Sequence, residues 1–362
     1  MEKKKQKTVK LPMIIAVTLS IAIIIIILYF TIDSNTLNKL STVHIKYEYF
    51  AIAIFLNILY WVLWGARIKV LSNAIDKNVT ISYWESTKIV IANLFLASIT
   101  PSMAGGEPVR IHLLNKDGMS VGCATAAVLG ERLLDAIFIL TIVPIAVFIF
   151  KDEPGVQFIS TGLWIGVFVF ILLLILFLYA IVKPEKTKSF LIIINKKLSK
   201  FSKKKESHGK VIARINREVD NFHNSMTIFV GEGRKALFKA SILTILFWST
   251  GFTIPSMMLL GLGLPPFFIE SYAAQVLLLV IIMMPTTPGS AGVAEVGIYG
   301  LYGVLIGTGS ASLIGVFIIL YRFITYHMNL IAGAIFMQRI FKSVASFSMD
   351  VLQKQDDTRE FE

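Results

Sequence analysis

Twice in this sequence an apolar run too short to cross a bilayer meets a Pro/Gly-rich break that carries a glutamate. The first run, Ile89 to Ile99, leads into Pro101, Gly105, Gly106, Glu107 and Pro108; the second, Ala273 to Met284, leads into Pro285, Pro288, Gly289, Gly292 and Glu295. A spanning helix needs about 20 apolar residues, and both runs stop well short of that, where proline removes backbone donors and glycine admits left-handed geometry. Irregular backbone at membrane depth survives only where protein or a water-filled cavity satisfies its polar groups. Paired breaks in the two halves of a chain point to a transport site between them.

Composition fixes the class. The 362 residues are 55% hydrophobic and only 16% charged, with a mean hydropathy of +0.72, whereas soluble domains carry about 25% charged residues. A soluble enzyme is excluded. The expectation is an all-α polytopic membrane protein, a single domain over residues 1–362, with about six full spans near 11–32, 48–70, 131–150, 159–182, 237–261 and 312–337, plus two re-entrant or broken segments. The first span is expected to be a retained helix, since it is too long for a signal-peptide core and lacks a cleavage site. The net charge of +12 lacks the aromatic interleaving of a nucleic-acid surface, so no nucleic-acid partner is expected. With the N-terminus inside, nearly all Lys and Arg fall on the inner side, leaving Lys39, Lys46 and Lys151 outside, as the positive-inside rule requires. Both termini, the tail 339–362 and the basic stretch 183–236 are therefore placed in the cytoplasm of a cell whose plasma membrane holds the protein. Within that stretch Ile212, Ile215, Val219, Phe222, Met226 and Phe229 recur at spacings of three and four, which predicts a helix with one apolar stripe.

Charges near membrane depth carry the functional signal, because each costs about 2.5 to 3.5 kcal/mol on insertion scales. Glu131, Arg132 and Asp135 open the expected span 131–150; Arg132 and Asp135, three apart, share a helical face, while Glu131 points elsewhere. At the start of a span such residues also fit ordinary snorkelling. Arg322 lies between long apolar flanks, where either a structural partner such as Glu295 or Glu270, or a ligand, would neutralise it. Glu107 precedes Arg132 by 25 residues and Glu295 precedes Arg322 by 27, a parallel that raises the idea of an inverted repeat. Pro108 suits the start of a helix running through His112 and Leu114, and glycines before it leave N–H groups that suit either a capped turn or phosphate, with Arg110 adding charge. Glycines 297, 300, 303 and 307 suggest close helix packing. The five histidines show no metal-ligand spacing, Cys123 sits alone in an apolar run, and no nucleotide or hydrolase motif occurs. No metal or cofactor is expected.

In this order, the Gly105-Gly106-Glu107-Pro108 element with Arg110, the Glu131, Arg132 and Asp135 cluster, the Pro288-Gly289 element running through Gly292 to Glu295, and Tyr321 with Arg322 resemble the lysylphosphatidylglycerol synthase transmembrane-region family. The likeness covers most of residues 10–340. It implies the flippase-like membrane domain found at the N-terminus of bacterial multiple peptide resistance factor, and it implies a chain without the acyltransferase domain of the bifunctional relatives, hence no enzyme. The implied function is a lipid flippase or transporter whose polar headgroup passes a cavity between the two broken segments. Glu107, Glu131 and Glu295 would meet a cationic group, Arg110, Arg132 and Arg322 a phosphate, with Asp135 beside them. The cargo classes left open are phospholipid and polyprenyl-linked lipid. The competing expectation is a non-catalytic membrane subunit that presents lipid to a separate aminoacyl- or glycosyl-transferase through residues 183–236.

Overall fold

The computed structural model describes residues 44–100, 106–151, 182–199, 208–231, 233–282, 292–307 and 313–336, with Ser290 and isolated positions between 168 and 179. Among these residues the protein is all-α. Ten helices follow in order: α1 Tyr47–Ile75, α2 Tyr83–Ile99, α3 Gly106–Lys116, α4 Val121–Ile149, α5 Pro184–Ser199, α6 His208–Val230, α7 Arg234–Gly261, α8 Phe268–Ile282, α9 Val293–Ile306 and α10 Ile314–Phe336. Four of them, α1, α4, α7 and α10, are long and apolar enough to cross a membrane. The expected spans 11–32 and 159–182 lie outside the described residues, isolated positions of the latter apart, as do the tail and Pro101, Gly105, Pro285, Pro288 and Gly289.

The two interrupted regions form short helices. α2 has 17 residues, α8 has 15 and α9 has 14, so at about 1.5 Å per residue none reaches the roughly 30 Å of a hydrocarbon core. α2 packs on α3, and α8 on α9. Gly106 and Pro108 sit in the first turn of α3, which continues through His112 and Leu114 as the sequence predicts. α2 begins in a reciprocal cap: the Glu85 amide donates to Ser82 Oγ at 3.2 Å, and the Ser82 amide donates to Glu85 at 3.0 Å. That backbone donor holds the Glu85 carboxyl below its ordinary value.

The spine is the pair α1 and α7. The Lys46 amide donates to Gly261 O at 3.0 Å, so the start of one helix meets the end of the other and the pair is antiparallel. Tyr60 and Phe247 stack between them at 4.3 Å. α2 closes on α1 at Gly65, where a β-carbon would stand 2.9 Å from the Thr87 backbone nitrogen. On α9 only part of the glycine expectation holds: Gly297 meets Leu278, Gly303 faces open space, and Gly307 takes a φ of +69° at the helix end.

One boundary corrects the sequence reading. The span expected to open at Glu131 begins ten residues earlier, at Val121, capped by Ser120. Gly130 and the charges after it look like an interface, but the apolar run Val121 to Leu129 is the first third of the same helix, so Glu131, Arg132 and Asp135 lie near its middle. Cys123, in its first turn, is half-buried. The predicted amphipathic helix forms as α6. Val219 and Met226 are buried and Phe222 packs on the core. Glu218 accepts from the Gly122 amide at 2.7 Å, seating α6 on the start of α4. Lys188 pairs with Asp220 at 2.7 Å, which ties α5 to α6.

Candidate functional site

The mid-helix position of Glu131 and Asp135, four residues apart on one face, corrects the expectation that Glu131 points away from Asp135: both carboxylates stand against α1. There they meet Arg67. Its Nε donates to Glu131 at 2.9 Å, Nη1 to Asp135 at 2.5 Å and to Thr244 at 3.1 Å, and Nη2 to Asp135 at 3.4 Å. Arg110 from α3 donates to the other oxygen of Glu131. Trp248 Nε1 from α7 donates to Asp135 at 2.9 Å. Arg132 donates to Asp135 at 3.3 Å and to Glu107 at 2.5 Å. Three guanidinium groups and three carboxylates drawn from α1, α3 and α4 thus form one continuous cluster of zero net charge. A planar fork is what lets Arg67 serve two carboxylates at once, and its plane lies 4.8 Å from the Phe247 ring.

Exposure divides the cluster into two parts. The side chains of Arg67, Arg110 and Glu131 are at most 1% exposed, whereas Glu107 and Arg132 are 34% and 37% exposed. Arg67, Arg110 and Glu131 are framework. Glu107 and Arg132 are the reachable pair.

A second ion pair stands across the bundle. Arg322 Nε lies 2.8 Å from Glu295 Oε1, a charge contact whose N–H direction misses the oxygen. Glu295 also accepts from the Gly292 amide at 2.6 Å, capping α9. Directly after Arg322 the helix widens into a π-helical turn, Phe323–His327, a feature concentrated at functional sites. Arg322 lies 4.1 Å over the Tyr326 ring, and Tyr326 donates to Ser98 O, near the end of α2, at 3.0 Å. The parallel spacings of the sequence therefore correspond to two formed pairs, Glu107 with Arg132 and Glu295 with Arg322, and one tyrosine links the second pair to the first broken segment.

Between the two pairs is a cavity of about 480 Å³. Glu107, Arg132 and Asp135 line one side, Gln275, Tyr321 and Arg322 another, with Trp64 and Asn93 also on its wall. Glu295 is buried behind Arg322 rather than on the wall. Trp64 Nε1 and Asn93 Oδ1 are buried without a hydrogen-bond partner among the described residues, as are Nε and Nη2 of Arg110. Among the described residues no group of three or more His, Cys, Asp or Glu side chains is arranged to hold a metal ion.

Sequence reasoning found seven of the charged residues but missed Arg67, the hub. Arg67 and Lys69 near the end of a span read as ordinary inner-side anchors. The available signal was the helical face Trp61, Trp64, Arg67 and Ile68, which marks the arginine as turned inward. Gln275 and Tyr326 carried no charge to draw attention.

The model of the lysylphosphatidylglycerol synthase transmembrane region matches residues 13–333. A UPF0104 membrane protein of Archaeoglobus fulgidus is 33% identical over 322 residues, covering 89% of this chain and 94% of the relative. Similar proteins of the same description occur in Methanocaldococcus jannaschii, 32% identical over 50% of this chain and 52% of the relative, and in Methanothermobacter thermautotrophicus, 25% identical over 67% and 70%. No solved structure matches the chain.

Proposed function

The chain belongs to the lysylphosphatidylglycerol synthase transmembrane-region family, and from that premise we propose that this membrane protein moves a polar-headgroup lipid between leaflets without making or breaking covalent bonds. The observation that carries the reading is the cavity flanked by both broken regions, with a reachable Arg132–Glu107 pair on one wall and Arg322 on another. A zwitterionic or phosphate-bearing headgroup would exchange with that pair, its phosphate on Arg132 and any ammonium on Glu107. The orientation proposed with it puts the basic α5–α6 hairpin in the cytoplasm and the protein in the plasma membrane.

The test is headgroup translocation in proteoliposomes made with purified protein alone and a short-chain fluorescent phospholipid. Wild type is expected to move the lipid. Arg132→Gln with Glu107→Gln, which removes the partly exposed pair and keeps the cluster neutral, is expected to fold and lose transport. Transport at the wild-type rate in that variant would defeat the assignment.

A second reading rests on the exposed apolar residues Phe190, Leu191 and Ile193 of α5. They suit a docking face for a lipid-modifying transferase, to which the protein would present lipid. Failure of the purified protein to transport, with transport or lipid modification restored by such an enzyme, would favour this reading instead.

A further inference from the structure

Where the end of α1 meets the start of α7, a groove of about 750 Å³ opens that shares no residue with the central cavity. Lys69, Lys77, Lys235 and Lys239 line it against a single carboxylate, Asp76. Asp76 already accepts from the Asn78 amide at 3.0 Å. Lys235 and Lys239 form no ion pair among the described residues. The first turn of the 28-residue helix α7 also faces the groove, and its cap residue Gly233 supplies no side-chain acceptor. The donors of that turn therefore add to the positive field.

Depth and surroundings indicate the source of the ligand. α1 and α7 are candidate spans of 29 and 28 residues, longer than the roughly 30 Å core at about 1.5 Å per residue, and the lysines lie within two turns of their ends or just beyond, which suits headgroup level. Lys69 Nζ sits 3.9 Å over the Tyr83 ring and Lys88 Nζ 5.4 Å over the Trp84 ring. Both rings are exposed, as in the aromatic belts of membrane interfaces. Beyond the groove, Phe238, Ile242 and Ile245 present one exposed apolar face of α7. Basic pockets between spans at this level suit anionic headgroups.

We propose that this groove binds the phosphate of an anionic phospholipid from the adjoining leaflet, with the acyl chains running along the Phe238, Ile242 and Ile245 face. This site stands whether or not the central cavity conducts lipid. The test is native mass spectrometry and thermal unfolding of the full chain, taken from phosphatidylcholine nanodiscs with and without phosphatidylglycerol. At about 1 kcal/mol per lysine, Lys235→Gln with Lys239→Gln is expected to weaken phosphatidylglycerol retention roughly thirtyfold. Lys235→Arg with Lys239→Arg is expected to retain it, and so is Lys183→Gln with Lys186→Gln, outside the groove. Undiminished retention in the groove variant, or an equal loss in the outside variant, would overturn the site. Stabilisation of wild type by inorganic phosphate in phosphatidylcholine discs, equal to that by phosphatidylglycerol, would overturn the lipid assignment.

Discussion

Arg67→Met is the sharpest perturbation of the interior. The substitution keeps an unbranched apolar stem but removes the guanidinium, with its four donated hydrogen bonds and its contact with Phe247, and it leaves three carboxylates facing two guanidinium groups. Breaking a buried pair by removing one partner costs about 3 to 5 kcal/mol. The insertion cost of one uncompensated charge, about 2.5 to 3.5 kcal/mol, gives the same range by another route. Equilibrium unfolding in mixed micelles measures it. Adding Glu131→Gln to Arg67→Met restores charge balance, and the amide oxygen still accepts from Arg110 while its nitrogen faces the space that Arg67 leaves, so the double variant is expected to regain more than half of the loss. Arg67→Lys is expected to regain less, because an ammonium lacks the planar fork that reaches both carboxylates. A loss below about 1 kcal/mol for Arg67→Met, the range of an exposed pair, would refute the claim that the cluster is a buried framework.

Other outcomes follow from the packing. Gly65→Ala drives a β-carbon to 2.7 Å from Thr87 Oγ1 and is expected to cost about 1 to 3 kcal/mol by overpacking. Gly303→Ala, with nothing within 4 Å, is expected to be neutral or stabilising in the same unfolding assay. Tyr326→Phe keeps the ring under Arg322 and loses the bond to Ser98, an expected cost of about 1 kcal/mol with faster exchange of the Ser98 region by hydrogen–deuterium mass spectrometry. Ser82→Ala is expected to cost about 1 kcal/mol. Because Glu85 is held below its ordinary value near 4.5, its share of stability is present above that pH and is lost as pH falls through the lower folded value, a dependence that Glu85→Gln is expected to abolish.

The broken segments were legible because proline, glycine and run length act locally: α2, α3, α8 and α9 end or begin where those residues dictate. The pairing of Glu107 with Arg132 was half legible, since each residue announced its cost at depth without naming its partner. Arg67 was illegible because its role depends on Glu131 and Asp135, 64 and 68 residues away, and an arginine beside a lysine near a span end satisfies a simpler rule. The misplaced start of α4 has the same origin. Charges that look like a membrane boundary cease to be one when a guanidinium from another helix neutralises them. The π-helical turn after Arg322 leaves no local signature, since Phe323 to His327 reads as ordinary helix.

A cluster whose three positive and three negative groups cancel gives the membrane potential nothing to pull on. If the frame around Glu131 shifts as a unit while cargo passes, the protein contributes no gating charge, and voltage acts only on what it carries. One elementary charge crossing the full field is worth about 2.3 kcal/mol per 100 mV, so a lipid with one net negative charge would be moved preferentially toward the positive face, by roughly fiftyfold at that potential. A zwitterionic lipid would move equally both ways. Under the proposed lipid transport, rates under an imposed potassium diffusion potential would therefore read out the net charge of the cargo.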